Sequence, residues 1–279
     1  MPEITRFAPS PTGLLHLGHA HAALFAHQAA MESGGTFLLR LEDIDPIRCR
    51  EDFIDQIYQD LSWLGLDWPR PVRRQSQHLA DYQQALDKLR DMGLLYPCLC
   101  TRKEIEAEIA RSGHAPHGPD GVLYPGTCRH RRIHPGDDPC AWRLDMEKAI
   151  QRAGPLRWHD RRHGWLQADP GQFGDVVLAR KDTPTSYHLA VTVDDALQEV
   201  SLVTRGEDLL AATHVHRLLQ ALLDLPSPDY HHHRLLTDDQ GRRYAKRDKS
   251  LTLQSLRQSG HDPEQIRALS QINAAVSPL

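Results

Sequence analysis

The chain has 279 residues, with 33 Lys+Arg against 37 Asp+Glu for a formal net charge of −4, and 25% of its residues are charged. That is the balance of a soluble globular chain, and at roughly 150 residues per domain it allows one large domain or one large and one small. A fibrous or disordered protein is excluded, and so is a transmembrane helix, because no apolar run approaches the roughly 18 residues a span needs.

The first ten residues carry Glu3 and Arg6 and do not read as a secretory signal. Five cysteines are too few, and odd in number, for a disulfide scaffold. A cytoplasmic protein with no membrane partner is expected. Basic clusters at 70–74, 129–132, 157–162 and 242–249 provide local positive charge for phosphate contacts despite the net acidity.

In chain order, residues 4–8 are short and β-prone, and Pro9-Ser10-Pro11-Thr12-Gly13 is a loop signal. The Ala-rich stretch 17–32 predicts a helix stopped at Gly34-Gly35, and 36–41 a compact strand. Strand, helix, strand at this length is a βαβ unit, which predicts a parallel sheet. Helical spacing returns with Phe53, Ile54, Ile57, Tyr58, Leu61 and Leu64, then with Leu79, Tyr82, Leu86 and Leu89 before Gly93. From Tyr96 to about Trp165 the texture changes to cysteines, Gly/Pro punctuation and basic residues, as in an inserted module. Residues 173–180 and 186–193 read as strands, 208–225 as a helix closed by Pro226, and Asp262-Pro263 as a helix start.

The first chemical feature is His16-Leu17-Gly18-His19 at a helix start. Residues three apart share a helix face, and a helix N-terminus favours phosphate through its unpaired N–H groups and its dipole. Histidines there add donors for developing phosphoryl charge, and Gly18 admits a nucleotide close to the backbone. Three cysteines, Cys98, Cys100 and Cys128, stand within the insert and suggest a tetrahedral zinc site. On chemistry alone its fourth ligand would be His130 or Cys140, since a phenol loses its proton less readily than a thiol. Cys49 and Cys140 otherwise read as small buried apolar residues.

Pro9-Ser-Pro-Thr-Gly13, His16-Leu-Gly-His19 and Leu39-Arg-Leu-Glu-Asp-Ile-Asp-Pro46 together resemble the catalytic core of class I glutamyl-tRNA synthetases. The glutaminyl relatives usually carry an aromatic residue and Asp in place of Leu41-Glu42, so the glutamyl branch fits better. Ser186-Tyr-His-Leu-Ala-Val-Thr-Val-Asp-Asp195 and Thr204-Arg-Gly-Glu-Asp-Leu209 resemble that family's substrate-pocket segments. Arg243-Tyr-Ala-Lys-Arg247 stands where the family has its KMSKS-type loop, departing at Arg243 and Ala245 and matching at Lys246. The glutamyl enzymes carry a further anticodon-binding region; a chain of this length resembles instead their truncated paralogues, the glutamyl-queuosine tRNA(Asp) synthetase family.

The resemblance implies an α/β fold: a Rossmann-like parallel-sheet core in residues 1–95 and 166–225, an inserted zinc-containing module at 96–165, and the KMSKS-type loop with a short helical part at 226–279. No anticodon-binding domain is expected. It implies an ATP-dependent ligase that converts L-glutamate to glutamyl-adenylate without tRNA, then transfers it to the cyclopentenediol of queuosine in the anticodon of tRNA(Asp). His16, His19 and Lys246 are the implied catalytic residues and, with Gly18, the ATP ligands, with Mg²⁺ on the phosphates. Glutamate carries two carboxylates and an ammonium. Arg6 and Arg205 suit the former and Glu42 the latter, with Ala8, Ser10 and Tyr187 completing the pocket. Structural zinc would sit on Cys98, Cys100, Tyr124 and Cys128. A monomer is expected. The competing readings are a truncated glutamyl-tRNA synthetase charging tRNA(Glu) and a catalytically dead, zinc-containing RNA-binding protein.

Overall fold

The computed structural model describes residues 1–112, 117–131, 133, 139–236 and 252–270. The chain opens with β1 (Ile4–Phe7), α1 (Leu17–Glu32) and β2 (Thr36–Leu41). β1 and β2 run parallel, Ile4 opposite Thr36 and Phe7 opposite Leu39, so the expected βαβ unit is present. Ala20, Ala23, Ala26 and Ala30 are all buried, and these small side chains let α1 lie close on the sheet. Gly35 is required at the turn into β2, because a Cβ there would lie 2.0 Å from the Glu3 carbonyl oxygen.

Next come α2 (Glu51–Trp63), β3 (Arg73–Arg74), α3 (Leu79–Asp91), β4 (Leu95–Cys98) and α4 (Arg102–Ser112). The short hairpin β5 (His117–Gly118) and β6 (Gly121–Val122) precedes β7 (Ala141–Leu144) and α5 (Met146–Ala153). Then β8 (Arg157–Asp160), β9 (Gly164–Gln167), β10 (Val177–Ala179) and α6 (Tyr187–Leu197) lead to β11 (Leu202–Gly206), α7 (Ala212–Leu223) and β12 (Asp229–His233). Two short helices, α8 (Leu253–Gln258) and α9 (Pro263–Leu269), follow. The α9 start is the one the sequence announces, with Asp262 accepting from Gln265 N–H and Pro263 in the first turn.

Two parallel ladders face each other across a seam. β3 pairs with β2, and β2 with β1; β11 pairs in parallel with β12, which meets β8 at Tyr230–Asp160. β11 runs beside β1, with Ser201 N–H donating to Ile4 O at 3.0 Å. A separate antiparallel sheet has the order β10-β7-β4. One apolar core holds α1, α2 and the buried Leu253, Leu256 and Ile266 of the last helices. A second is built around Tyr82, Leu86, Leu189, Val215 and Leu219, from α3, α6 and α7. No described helix is long and apolar enough to cross a membrane.

Three expectations are corrected. Residues 186–193 are not a strand: they open α6, in which His188 to Asp195 are all buried. A helix buried on every side loses its 3.6-residue signature, and its β-branched Val191, Thr192 and Val193 then mimic a strand. In 173–180 only Val177–Ala179 is extended, and the helix expected at 208–225 begins at Ala212, after a turn at Glu207–Leu209. β8 and β9 join the β11–β12 ladder, while β10 pairs with β7. Sheet membership is set by long-range pairing, which texture along the chain does not report.

Candidate active site

The seam between the two ladders is a switch point, where successive crossovers diverge and leave a crevice at the carboxyl ends of the strands. Chain segments leaving those ends supply the site: Arg6, Ala8 and Ser10 from and after β1, Glu42 just after β2, and Arg205 near the end of β11. All six expected glutamate ligands (Arg6, Ala8, Ser10, Glu42, Tyr187 and Arg205) line one cavity of ≈230 Å³, together with His19.

His16 and His19 cap α1 reciprocally. The Gly18 N–H donates to His16 Nδ1 and the His16 N–H donates to His19 Nδ1, both at 3.1 Å, and the rings lie 3.8 Å apart. With Nδ1 occupied as an acceptor, each neutral ring carries its proton on Nε2, the form that donates to an anion. A side chain at position 18 would press on the His16 ring, 3.1 Å from a Cβ, so Gly18 keeps the pair in place. Thr252 forms a β-bridge to His16, and Leu253 N–H donates to Leu15 O, bringing the chain back to this loop. Lys246, Arg243 and Ala245 lie outside the described residues.

Beneath the cavity is an ion network that sequence reasoning missed. Arg6 grips Asp195 through Nε at 2.9 Å and Nη2 at 3.2 Å, and its Nη1 donates to Thr204 O. Arg40, fully buried, reaches Asp195 at 2.8 Å, Glu42 at 3.2 Å and Asp194 at 3.6 Å. Asp194 in turn accepts from Arg73, Gln75 and Tyr82. Burial opposes ionisation of Asp195, but Arg6 and Arg40 hold its carboxyl below the ordinary range. For Glu42 burial wins and pushes the carboxyl up against the pull of Arg40 and Arg6, leaving it receptive to an ammonium. The available signal was charged residues inside an apolar stretch, Val191-Thr-Val-Asp-Asp195.

Arg205 is held differently. Its guanidinium donates to the Tyr187 hydroxyl at 3.3 Å, to Thr213 Oγ1 at 2.5 Å, and to His232 and His216. Among the described residues no carboxylate pairs with it. A buried cation with neutral partners beside a small cavity is a receptor for an anion.

In the insert, the Cys98, Cys100 and Cys128 sulfurs lie within 4.8 Å of one another. The Tyr124 hydroxyl sits 3.4 Å from Cys98 Sγ and 3.5 Å from Cys100 Sγ, and it accepts from the Cys128 N–H at 2.9 Å. The Arg143 guanidinium lies 3.7 Å over its ring, while burial and the neighbouring cysteines push the phenol above its ordinary range. Burial pushes the Cys100 thiol up to about 11, whereas for Cys128 hydrogen bonds led by Tyr124 outweigh burial and bring it to about 7. Three thiols closing on one point can hold a soft metal ion such as zinc. Neither His130 nor Cys140 belongs to the cluster.

Residues 4–272 match the family described as tRNA synthetases class I (E and Q), catalytic domain. A glutamyl-Q tRNA(Asp) synthetase of Rhodobacter capsulatus is 50% identical over 274 residues, covering 95% of this chain and 99% of its own. One from Nocardia farcinica is 42% identical over 281 residues, covering 98% and 85%. Among solved structures, a glutamate tRNA ligase from Elizabethkingia meningosepticum in complex with its amino acid superposes with a TM-score of 0.73 at 26% identity, over 90% of this chain. The chain spans about half of that ligase, 53% of its length. A switch-point cavity with a His-capped helix at its edge, a family match over residues 4–272 and 50% identity to a curated relative across 95% of the chain together assign the chain to the class I tRNA synthetases (E and Q), in their glutamyl-Q tRNA(Asp) synthetase branch.

Proposed function

We propose that the protein activates L-glutamate with ATP, without tRNA, and transfers it to the cyclopentenediol of queuosine in the anticodon of tRNA(Asp). The observation that carries this reading is the single cavity gathering Arg6, Ala8, Ser10, Glu42, Tyr187 and Arg205 beside His19. Arg205 and the part-compensated Arg6 take up carboxylate charge, Glu42 takes the ammonium, and Tyr187 adds a hydroxyl. A carboxylate oxygen of glutamate attacks the α-phosphorus of ATP, the mixed anhydride forms and pyrophosphate departs. His16 and His19 present Nε2 donors to the charge that builds on the phosphoryl oxygens, Gly18 admits the nucleotide, and Lys246 adds a cation, with Mg²⁺ on the phosphates. A queuosine hydroxyl then attacks the activated carbonyl, its proton is lost, and AMP leaves.

Zinc is proposed on Cys98, Cys100, Tyr124 and Cys128. Four protein ligands would leave no open position, so zinc there would be structural, tying β4 to the segment after β6. The enzyme is proposed to work as a cytoplasmic monomer. Glutamate transfer to queuosine-containing and queuosine-free tRNA(Asp), and to their isolated anticodon stem-loops, tests the reading. Glutamate is expected on the queuosine-bearing RNAs alone, including those with periodate-oxidised 3′ ends if the diol is protected. Charging of tRNA(Glu) at its 3′ end, with the stem-loop left unmodified, overturns it.

A further inference from the structure

We infer, on the reading of Arg205 as a glutamate-carboxylate ligand, that His232 and Asp160 are positioning residues for glutamate: Asp160 fixes the His232 tautomer, and His232 aims the Arg205 guanidinium into the cavity. The geometry is a relay, with Thr213 Oγ1 also 3.3 Å from His232 Nε2. Asp160 Oδ2 lies 2.7 Å from His232 Nδ1, and the Arg205 Nε–H donates to His232 Nε2 at 3.1 Å. An arginine has no acceptor, so Nε2 must be the unprotonated nitrogen and the ring proton must sit on Nδ1, donating to Asp160. A proton on Nε2 would set donor against donor, and a doubly protonated ring would also set cation against cation.

Asp160 is itself tightly held. Its Oδ1 accepts the N–H groups of Arg162 and His163 from the β8–β9 turn, and its Oδ2 also accepts the His232 N–H. It is fully buried, as is His232, whose ring stacks on Tyr230 at 6.0 Å and meets Trp158 edge-on at 5.8 Å. A second neutral acceptor completes the cradle: His216 Nδ1 lies 3.2 Å from Arg205 Nη1, and its Nε2 lies 3.1 Å from His188 Nδ1. Burial and the Arg205 charge both favour the neutral form of His216.

Arg6 and Arg40 are neutralised directly by Asp195, whereas the counter-charge of Arg205 stands one imidazole away. The cation is thereby anchored at Nε without a carboxylate on its Nη atoms. Those Nη atoms remain bound only to neutral groups, which an incoming carboxylate outcompetes. A salt bridge at Arg205 would orient it equally well but cancel the charge that glutamate needs.

The test is glutamate-dependent pyrophosphate exchange by the full chain, with glutamate and ATP varied separately in wild type, His232→Phe and His232→Gln. Phe keeps the ring stack but removes the acceptor; Gln retains a carbonyl oxygen near the Nε2 position. His232→Phe is expected to raise the glutamate KM roughly 10- to 100-fold, the range for losing one hydrogen bond to a charged group, with the ATP KM unchanged. His232→Gln should stay within about threefold of wild type, because the acceptor is restored. Equal rises in both KM values, an unchanged glutamate KM in His232→Phe, or a Gln variant as poor as Phe overturns the inference. The ¹⁵N shifts of the His232 ring read the tautomer in the unmutated protein, and a proton on Nε2 overturns it without any variant. Wild-type protein lacking glutamate-dependent exchange overturns the functional reading itself, and this inference with it.

Discussion

At the scale of single residues, His16 and His19 have one task seen in the structure and one proposed for them, and the two can be separated. Their Nδ1 atoms cap α1, while their Nε2 donors are proposed to face the phosphates. Loss of an N-cap side chain costs about 1 kcal/mol, so His16→Ala is expected to lower both stability and adenylate formation. His16→Asn supplies a capping oxygen but not the donor. It should melt close to wild type yet exchange pyrophosphate about 10²- to 10³-fold more slowly, the usual cost of one transition-state donor. Calorimetry beside pyrophosphate exchange checks the separation.

Asp195 is the other residue whose removal is informative, because it neutralises two buried arginines at once. Asp195→Asn leaves Arg6 and Arg40 short of charge in a dry site, and breaking a buried pair in this way costs about 3–5 kcal/mol. Denaturant unfolding should report a loss of that size. A change below about 1 kcal/mol, the range of exposed pairs, would mean that the network is solvated.

At the scale of elements, α2 meets α8 through a carboxylate held in unfavourable surroundings. Asp60 accepts from Gln56 at 2.8 Å and lies 3.5 Å from Arg257, while burial pushes its carboxyl up to about 6. A raised carboxylate binds its proton more tightly in the folded chain. Its stabilising effect is therefore full below the ordinary value near 3.8 and is lost as pH rises through 6. The expected decline from pH 4 to 7 is about 2 kcal/mol, and Asp60→Asn should remove that slope while leaving stability at pH 4 nearly unchanged. Chemical denaturation of both proteins across that range measures it.

The cysteine cluster proposed to hold zinc also joins elements, because Cys98 ends β4 and its partners Tyr124 and Cys128 follow β6. About one equivalent of zinc is expected to co-purify, and Cys98→Ser or chelation should release it. Hydrogen exchange should then rise in β4 and β7, with β1 and β2 still protected by their own ladder and by α1. Metal-free protein obtained without chelators, showing the same exchange pattern, would refute the zinc assignment.

At the scale of the whole molecule, the chain's arginines and acids are joined across large sequence distances. Arg6 meets Asp195 across 189 residues and Arg40 meets it across 155. The first ladder brings β1 and β2, the second brings β11 and the buried start of α6, and the pocket exists only where the two meet. Because tRNA contacts are largely phosphate contacts, transfer to tRNA(Asp) is expected to weaken steeply with salt, while tRNA-independent pyrophosphate exchange changes little. Titrating both activities with KCl distinguishes an RNA-docking effect from general loss of structure.

The sequence alone determined the features with local causes. The α1 bounds follow from a capping pair at one end and Gly34-Gly35 at the other, and the βαβ opening follows from its periodicity. The six pocket residues and the three sulfurs were legible because short motifs carry them. Tertiary structure decided what has no local cause. The start of α6 reads as a strand, since burial on all sides erases helical periodicity. β10 joins β7 because pairing energy, not chain order, assigns a strand to its sheet. The partners of Arg40 and the relay from Asp160 through His232 to Arg205 were likewise hidden. A hydrogen bond between residues 72 positions apart, such as Asp160 to His232, leaves no spacing signal in the chain, because only the folded path brings the two groups together.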